Sequence, residues 1–154
     1  MRSFLIAFGI GLLLISCATL PPIPEEQANY SKTYETTLSK AEVYNKSLEW
    51  IAKTFRSAKA VIEFQDKDQG KIIGNGSVDC PIGPVQTLVS IGFTLTIEAK
   101  EGKYRMVFEN IRMVFGPGDT YPLRRDYDVK NVHLKLQSLC DAFQNYLTIK
   151  AENW

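Results

Sequence analysis

The sequence predicts a two-layer α+β fold, in which an antiparallel sheet of about five strands carries two helices on one face. Two long stretches of alternating apolar residues lie between Leu88 and Phe115 and are typical of adjacent strands. Two other stretches have apolar residues at helical spacing, one beginning near Lys40 and the other near Asp126. The predicted order is β-α-β-β-β-β-α. Because each strand has one apolar face, both helices are expected to cover the same face of the sheet.

The first strand and the first helix are predicted near the start of the domain. Tyr30–Leu38 alternates weakly and is rich in tyrosine and threonine, which favour a strand. Ser39 and Glu42 then form a capping-box pattern, in which each side chain satisfies a backbone donor of the other residue. Apolar residues follow at helical spacing, so we expect a helix over Lys40–Phe55.

Two shorter strands are predicted before the central hairpin. The second strand is centred on Ile62, and the third runs over Lys71–Val78 after a turn rich in aspartate and glycine. Gly74 and Gly76 share one face of the third strand, which indicates that a helix or a large side chain packs closely there. Asp79–Thr87 contains two prolines and a glycine and is predicted to be a loop.

The register of the central hairpin can be predicted from the cost of burying charge. A two-residue loop at Glu101-Gly102 pairs Ile97 with Met106 and sets Glu98 opposite Arg105 on the polar face. A three-residue loop would instead place Arg105 on the apolar face, and burying unpaired charges costs several kcal/mol each. We therefore expect the two-residue loop.

The second strand of this hairpin must contain an irregularity, because its apolar residues change parity between Phe108 and Ile111. One extra residue would bring Ile111, Met113 and Phe115 onto the buried face. We therefore predict a β-bulge near Glu109-Asn110.

A second loop, Gly116–Asp128, precedes the last helix, which Asp126 or Asp128 is expected to cap. The buried face of this helix is marked by an apolar stripe of Val129, Val132, Leu136, Leu139, Cys140, Phe143 and Leu147. The sheet face that points away from the helices is polar, and its candidate functional residues are Thr94, Thr96, Glu98, Arg105 and Glu109.

The N-terminus has the pattern of a bacterial export signal. Arg2 precedes an apolar run over Phe4–Ile15, which is shorter than the roughly 20 residues that a membrane-spanning helix needs. Leu14-Ile15-Ser16-Cys17 fits the lipobox and resembles bacterial lipoprotein precursors. The resemblance implies removal of residues 1–16, a diacylglyceryl group on Cys17, and an amide-linked acyl chain such as palmitate. The alternative is an ordinary signal peptide cut nearby, with Cys17 incidental.

The rest of the domain organisation follows from this signal. Ala18 stands after the cysteine where aspartate would favour inner-membrane retention, so the resemblance implies the outer membrane of a Gram-negative bacterium. Residues 17–29 are proline-rich and are predicted to be an extended tether. Residues 30–150 are predicted to form a single α+β domain.

The charge of the mature chain excludes some classes of partner. The full chain has 18 basic and 17 acidic residues, and removal of residues 1–16 takes away one base, Arg2, and no acid. A neutral protein lacks the cationic surface that nucleic-acid binding requires. It also lacks the polybasic pattern of proteins that bind anionic lipids by charge.

Four short motifs carry a family resemblance: Val43 to Trp50, Gly70-Lys71-Ile72, Phe93-Thr94-Leu95 and Gly102-Lys103-Tyr104-Arg105. They resemble a bacterial envelope family that is known as a domain of unknown function with a TATA-binding-protein-like fold. The resemblance covers about Tyr30 to Leu147 and implies the same strand and helix order. It brings no catalytic residues, and a fold shared with TATA-binding proteins does not by itself imply a shared function.

The sequence offers little that is typical of an enzyme. His133 is the one histidine, no cysteine cluster accompanies it, and no nucleophile motif occurs, so we expect no metal and no cofactor. Glu98 and Glu109 could share the open sheet face, but a solvated face with Glu98 paired to Arg105 is the simpler interpretation.

Two cysteines remain in the domain. Cys80 is expected just past the third strand, whereas Cys140 lies roughly 18 Å along the last helix from the same edge of the sheet. A disulfide needs Cα atoms within about 7 Å, so we expect Cys140 to be a buried free thiol.

The loops after the third and fifth strands should emerge at one edge of the sheet and form a common rim. Its candidate binding residues are Tyr121, Arg124, Arg125 and Tyr127, because arginine and tyrosine are frequent in binding hot spots. The leading hypothesis is a lipid-anchored, non-enzymatic module that binds or scaffolds an envelope protein or a cell-wall component. The alternatives are a hydrolase of cell-wall glycan or peptide that uses Glu98, Glu109 or His133, and a lipoprotein that binds a small molecule between sheet and helices.

Overall fold

In the computed structural model, which describes residues 20–55 and 61–148, one antiparallel sheet organises the chain. The elements, in chain order, are α1 Glu25–Ala28, β1 Tyr30–Glu35, α2 Lys40–Thr54, β2 Val61–Asp66, β3 Lys71–Ile82, β4 Thr87–Lys100, β5 Lys103–Gly116, β6 Asp119–Tyr121 and α3 Asp126–Thr148.

The sheet has the strand order β1-β5-β4-β3-β2, and β6 pairs with β5. β2 to β5 form the predicted meander, and β1 joins it as an edge strand beside β5. The predicted α+β class is therefore confirmed, with one strand more than expected. The extra strand is β6, which lies in the predicted loop Gly116–Asp128 and returns along the end of β5.

The two long helices cover one face of the sheet, as predicted. α2 begins with the predicted capping box, in which Ser39 Oγ accepts from the Glu42 amide and the Glu42 carboxylate accepts from the Ser39 amide. α3 buries its apolar stripe against the sheet, with Leu139 half-buried and the rest fully buried. The largest fully buried side chains are Tyr104, Phe108, Phe143, Ile72, Ile91, Ile97 and Met106.

The hairpin register and the bulge are confirmed. Ile97 pairs with Met106 and Glu98 with Arg105, across the two-residue turn at residues 101–102. The register shifts where Phe93 stands opposite two residues of β5, and one of these, Asn110, has a φ of 53°. Asparagine adopts this left-handed conformation more readily than most residues do, which explains its place in the bulge.

One consequence drawn from that bulge is wrong. Phe115 was expected on the buried face, but its side chain is 60% exposed. Phe115 does lie on the helix-side face of the sheet, as does Met113, which pairs with the buried Ile91. Among the described residues, the helix layer covers the β3–β4 side of this end but leaves Phe115 at the end of β5 exposed. Phe115 packs instead against the ring of Tyr121 at a centroid distance of 5.7 Å.

The predicted loop at Asp79–Thr87 is also mostly strand. β3 continues to Ile82 and pairs with β4 over this whole stretch, so only residues 83–86 form the turn. Pro81 is tolerated because, among the described residues, β2 pairs with β3 only as far as Asn75 and no described strand pairs with β3 beside Pro81 on that side. Cys80 therefore lies within β3 rather than beyond it.

The close approach predicted at the third strand is present at Gly76. A Cβ atom added there would lie 2.9 Å from Phe93 Cε2 and 3.3 Å from Phe55 Cε1. The end of α2 and the centre of β4 thus approach β3 at a position where only glycine leaves room.

The N-terminal segment differs from the predicted tether. The Ile23 amide donates to the Leu123 carbonyl oxygen at 2.8 Å, and Ala28, at the end of α1, is 4% exposed. Burial of these apolar residues holds the segment against β5 and the loop after β6, although its prolines favour an extended spacer. The packed domain therefore begins before Tyr30. The predicted signal peptide and Cys17 lie outside the described residues.

Candidate binding surfaces

The open face of the sheet carries three neighbouring cross-strand rows. The row nearest the β4–β5 turn is charged: Glu98 lies 3.5 Å from Lys71 Nζ and accepts from Arg105 at 2.6 Å. The hydrogen bond from Arg105 lowers the pKa of Glu98, despite partial burial that acts to raise it, and Lys71 adds to the lowering. Glu98 therefore stays ionised and paired, which is the simpler of the two predicted interpretations.

A second row consists of hydrogen-bonded polar side chains. Asn75 Nδ2 donates to Glu63 at 2.5 Å, Thr94 Oγ1 donates to Asn75 Oδ1 at 2.9 Å, and Asn110 Nδ2 donates to Thr94 Oγ1 at 3.2 Å. Glu109 is the cross-strand partner of Thr94 and remains exposed. The bulge at Asn110 is what brings its amide into this row.

Between the charged and hydrogen-bonded rows lies a mostly apolar one. Phe64, Ile73, Thr96 and Val107 are successive cross-strand partners on β2, β3, β4 and β5. Phe64 is 43% exposed, Ile73 and Val107 are half-buried, and Thr96 is 8% exposed. The open face thus has an apolar centre bordered on two sides by polar groups that are already fixed by each other.

The structure does not bring the proposed catalytic groups together. On β4, Glu98 lies four positions from Thr94, the cross-strand partner of Glu109, so roughly 13 Å along the sheet separates the two glutamates. Glycosidase carboxylates lie closer than about 10 Å. His133 belongs to the helix layer, where its Nε2 donates to the Ala28 carbonyl oxygen at 2.9 Å. His133 is therefore a half-buried residue of the helix layer that lies apart from both glutamates of the open face.

The cleft between α2 and the sheet gives little support to a small-molecule site. It is lined by Ile51, Phe55 and Phe93 among other residues, and it has room for about one water molecule. Among the described residues, no group of three or more histidine, cysteine or acidic side chains is placed to hold a metal ion.

Both described cysteines are buried free thiols, as expected for Cys140. Burial raises the pKa of the Cys140 thiol to about 11 and raises the pKa of Cys80 as well. Neither group is thus activated as a nucleophile. In the described part of the chain, no helix has the length and apolar character needed to cross a bilayer.

The predicted meeting of two loops at one edge of the sheet is confirmed. Asp128, at the start of α3, accepts from the Gly83 amide at 2.9 Å, and Tyr127 donates its hydroxyl hydrogen to the Gly83 carbonyl oxygen. Asn131 Nδ2 donates to the Pro81 carbonyl oxygen at 3.2 Å. The β3–β4 turn is thus held against the first turn of α3.

This end of the sheet, hereafter the rim, exposes large apolar side chains. Of the predicted residues, Tyr121 is 47% and Tyr127 is 41% exposed. Three residues that were not among the predicted binding residues are more exposed, namely Val85 at 84%, Leu88 at 71% and Phe115 at 60%. The exposure of Leu88 could have been predicted, because the alternation of apolar residues along β4 places it on the polar face.

The two rim arginines have different roles. The guanidinium of Arg124 donates to the backbone carbonyl oxygen of Leu20 and so fastens the N-terminal segment. Arg125 is exposed, and its carbonyl oxygen accepts from the amides of Asp128 and Val129 in the first turn of α3. Within residues 20–55 and 61–148, the Arg125 guanidinium makes no hydrogen bond or ion pair, in contrast to that of Arg124.

Comparison with known proteins identifies the family. A family model described as a domain of unknown function (DUF4468) with TBP-like fold matches residues 31–113. A search among proteins of curated function finds no match.

Two solved structures share the fold. One is a DUF4468 family protein from Bacteroides ovatus, 14% identical, with a TM-score of 0.63 over 88% of this chain and 94% of that chain. The other is a TBP-like protein from Parabacteroides distasonis, 14% identical, with a TM-score of 0.64 over 80% of this chain and 94% of that one. With the family match and the shared sheet and helix layers together, the chain belongs to the DUF4468 family of domains with a TBP-like fold.

Proposed function

We propose that this protein is a lipid-anchored, non-enzymatic module of the bacterial cell envelope, which binds another envelope component through the open face of its sheet. The lipobox at Leu14–Cys17 supports export and acylation of Cys17, with the outer membrane as the destination. The partner is an envelope protein or a cell-wall component.

The observation that carries the proposal is the arrangement of the open face. An apolar row is bordered by two rows whose polar side chains are fixed by mutual hydrogen bonds and ion pairs. Binding surfaces commonly have such an apolar centre with a polar border. Because these side chains are already ordered, a partner would immobilise few further rotamers on binding.

The binding surface can be tested by photo-crosslinking in intact cells. A photoreactive amino acid at Val107, in the apolar row, is expected to give a discrete adduct, whereas the same group at Ser138, exposed on α3, is expected to give none. Thr96→Arg should abolish the Val107 adduct because it fills the apolar row with a charged side chain. Equal adducts at both sites, or an adduct that Thr96→Arg leaves unchanged, would argue against binding by the open face.

The anchor requires a separate test. The unaltered protein should incorporate an alkyne-tagged palmitate and fractionate with outer membranes, and Cys17→Ala should lose both properties. A Cys17→Ala variant that still incorporates the label would assign the acyl chain to another site.

A further inference from the structure

The N-terminal segment brings the proposed anchor close to the rim. Leu20 is bound through its carbonyl oxygen by Arg124, and Ile23 donates its amide hydrogen to Leu123. Both contacts are made to the loop that directly follows β6. The chain is therefore fixed to the domain from Leu20 onward, at the end of the sheet that carries the rim.

Very little chain separates this fixed point from the acylation site. Ala18 and Thr19 are the only residues between Cys17 and Leu20. Three consecutive Cα–Cα steps span at most about 11 Å, whatever their conformation. An acylated Cys17 would thus hold Leu20 within about 11 Å of the bilayer surface, and the rim with it.

The exposed apolar residues of the rim point to both sides of the sheet. Phe115 and Tyr121 lie on the helix-side face, since Tyr121 pairs with Met113, which pairs with the buried Ile91. Leu88 lies on the open face, because along β4 it stands an even number of residues from Thr94, Thr96 and Glu98. A flat protein surface would cover one face of this tip, whereas a lipid headgroup layer can surround it.

The side chains of the rim also suit the boundary between headgroups and acyl chains. Tyrosine has an apolar ring and a polar hydroxyl, and such residues concentrate at membrane interfaces. Arg125 can extend its guanidinium to a phosphate while its stem stays in apolar surroundings. The exposed charges over residues 119–126 balance, with Asp119 and Asp126 against Arg124 and Arg125. Apolar contact rather than net charge must therefore provide the attraction.

We infer that the rim is a membrane-docking surface, which inserts Leu88, Phe115 and Tyr121 into the interface of the leaflet that holds the Cys17 anchor. The inference rests on the proposed acylation of Cys17. In this orientation the strands of the sheet stand upright on the membrane. The β4–β5 turn then lies roughly 45 Å from the membrane surface, which is the length of the 14 residues of β4. The open face then stands to the side, accessible to a partner.

Fluorescence quenching in a reconstituted membrane tests the inference. Lipidated protein would be purified from membranes and placed in vesicles of phosphatidylethanolamine and phosphatidylglycerol, with and without brominated acyl chains. Tyr121→Trp reports on the rim, and Phe115→Trp is a second reporter if the first variant folds poorly. The matched control is Lys67→Trp, exposed in the β2–β3 turn at the opposite end of the sheet. The native tryptophans contribute equally to all three variants.

We expect brominated lipid to quench Tyr121→Trp several-fold more than Lys67→Trp. Equal quenching of reporter and control, in protein that carries the acyl label and floats with vesicles, would overturn rim docking and leave the anchor intact. Protein that neither carries the label nor floats would instead overturn the anchor, and the docking inference with it. A photoreactive group at Leu88 that captures protein but no lipid in intact cells would assign the rim to a protein partner and also overturn the inference.

Discussion

Asp128 should contribute far more to stability than its neighbour Asp126. Both carboxylates lie in the first turn of α3, where the helix dipole favours negative charge. Asp128 is 5% exposed and accepts from the Gly83 amide at 2.9 Å, whereas Asp126 is exposed. The two positions therefore share the dipole interaction and differ in the hydrogen bond to the β3–β4 turn.

The difference can be given a magnitude. Hydrogen bonds to charged groups contribute about 1.5–3 kcal/mol, and a carboxylate at a helix N-terminus about 0.3–1 kcal/mol. Asp128→Ala should therefore lower the free energy of unfolding by about 2 kcal/mol more than Asp126→Ala does. In a domain of this size the added loss corresponds to a fall in Tm of about 8 °C.

Urea unfolding of the two variants and the unaltered protein measures this difference, provided that the m-value stays constant. Hydrogen exchange adds a local readout, because the Gly83 amide should lose protection in Asp128→Ala and keep it in Asp126→Ala. If both variants lose the same free energy, or if Gly83 stays protected without Asp128, the hydrogen bond does not hold the turn as described.

Three further predictions concern the core and the open face. Gly76→Val should lower the free energy of unfolding in urea by about 1–3 kcal/mol, because its Cβ would lie 2.9 Å from Phe93 Cε2. Gly116→Ala, whose Cβ would have no atom of the described residues within 4 Å, should lower it by less than about 0.5 kcal/mol. Cys140 should resist alkylation in the folded protein. Because its pKa rises from 9.0 to about 11 on folding, its contribution to stability is complete below pH 9.0 and is lost as the pH rises through about 11. Glu98→Gln should lower the free energy of unfolding at neutral pH by less than about 1 kcal/mol, because the ion pairs of Glu98 are partly exposed. Folding lowers the pKa of Glu98 below 4.5, so its contribution is present above pH 4.5 and is lost as the pH falls; the variant should therefore be less sensitive to acid.

These predictions fail in distinct ways. Equal costs for the two glycine variants would mean that the rings facing Gly76 can move aside. Rapid alkylation of Cys140 in the folded protein would show that α3 opens often. An acid unfolding profile that is unchanged in Glu98→Gln would show that the ion pairs do not favour the folded state.

Much of the sheet could be predicted because strand periodicity and burial cost act on local sequence. The alternation along β4 shows which face of the strand is apolar. The cost of burying Arg105 then selects a single register for the pairing of β4 with β5. The bulge followed from the change of parity after Phe108. Asn110 then supplied the one residue type in that stretch that readily adopts a positive φ.

The features that escaped prediction depend on contacts between distant segments. Pro81 indicates a loop locally, yet pairing along the whole of β4 keeps it in a strand. α1 and β6 are too short to show periodicity. α1 is stabilised by packing on β5, and β6 is stabilised by pairing with β5. Periodicity also assigns Phe115 to a face without showing how far the helices extend over that face. The exposed tip of the sheet could therefore not be predicted.

The position of β1 beside β5 also has a consequence for folding. Tyr30 pairs with Phe108, 78 positions later in the chain, whereas the strands of the meander pair with their sequence neighbours. Contacts between distant segments form slowly because a long loop must close first. The meander should therefore form early and β1 last. Until β1 docks, the edge of β5 has unpaired backbone groups and is open to pairing with another chain. This interval is when newly made protein is most prone to aggregate.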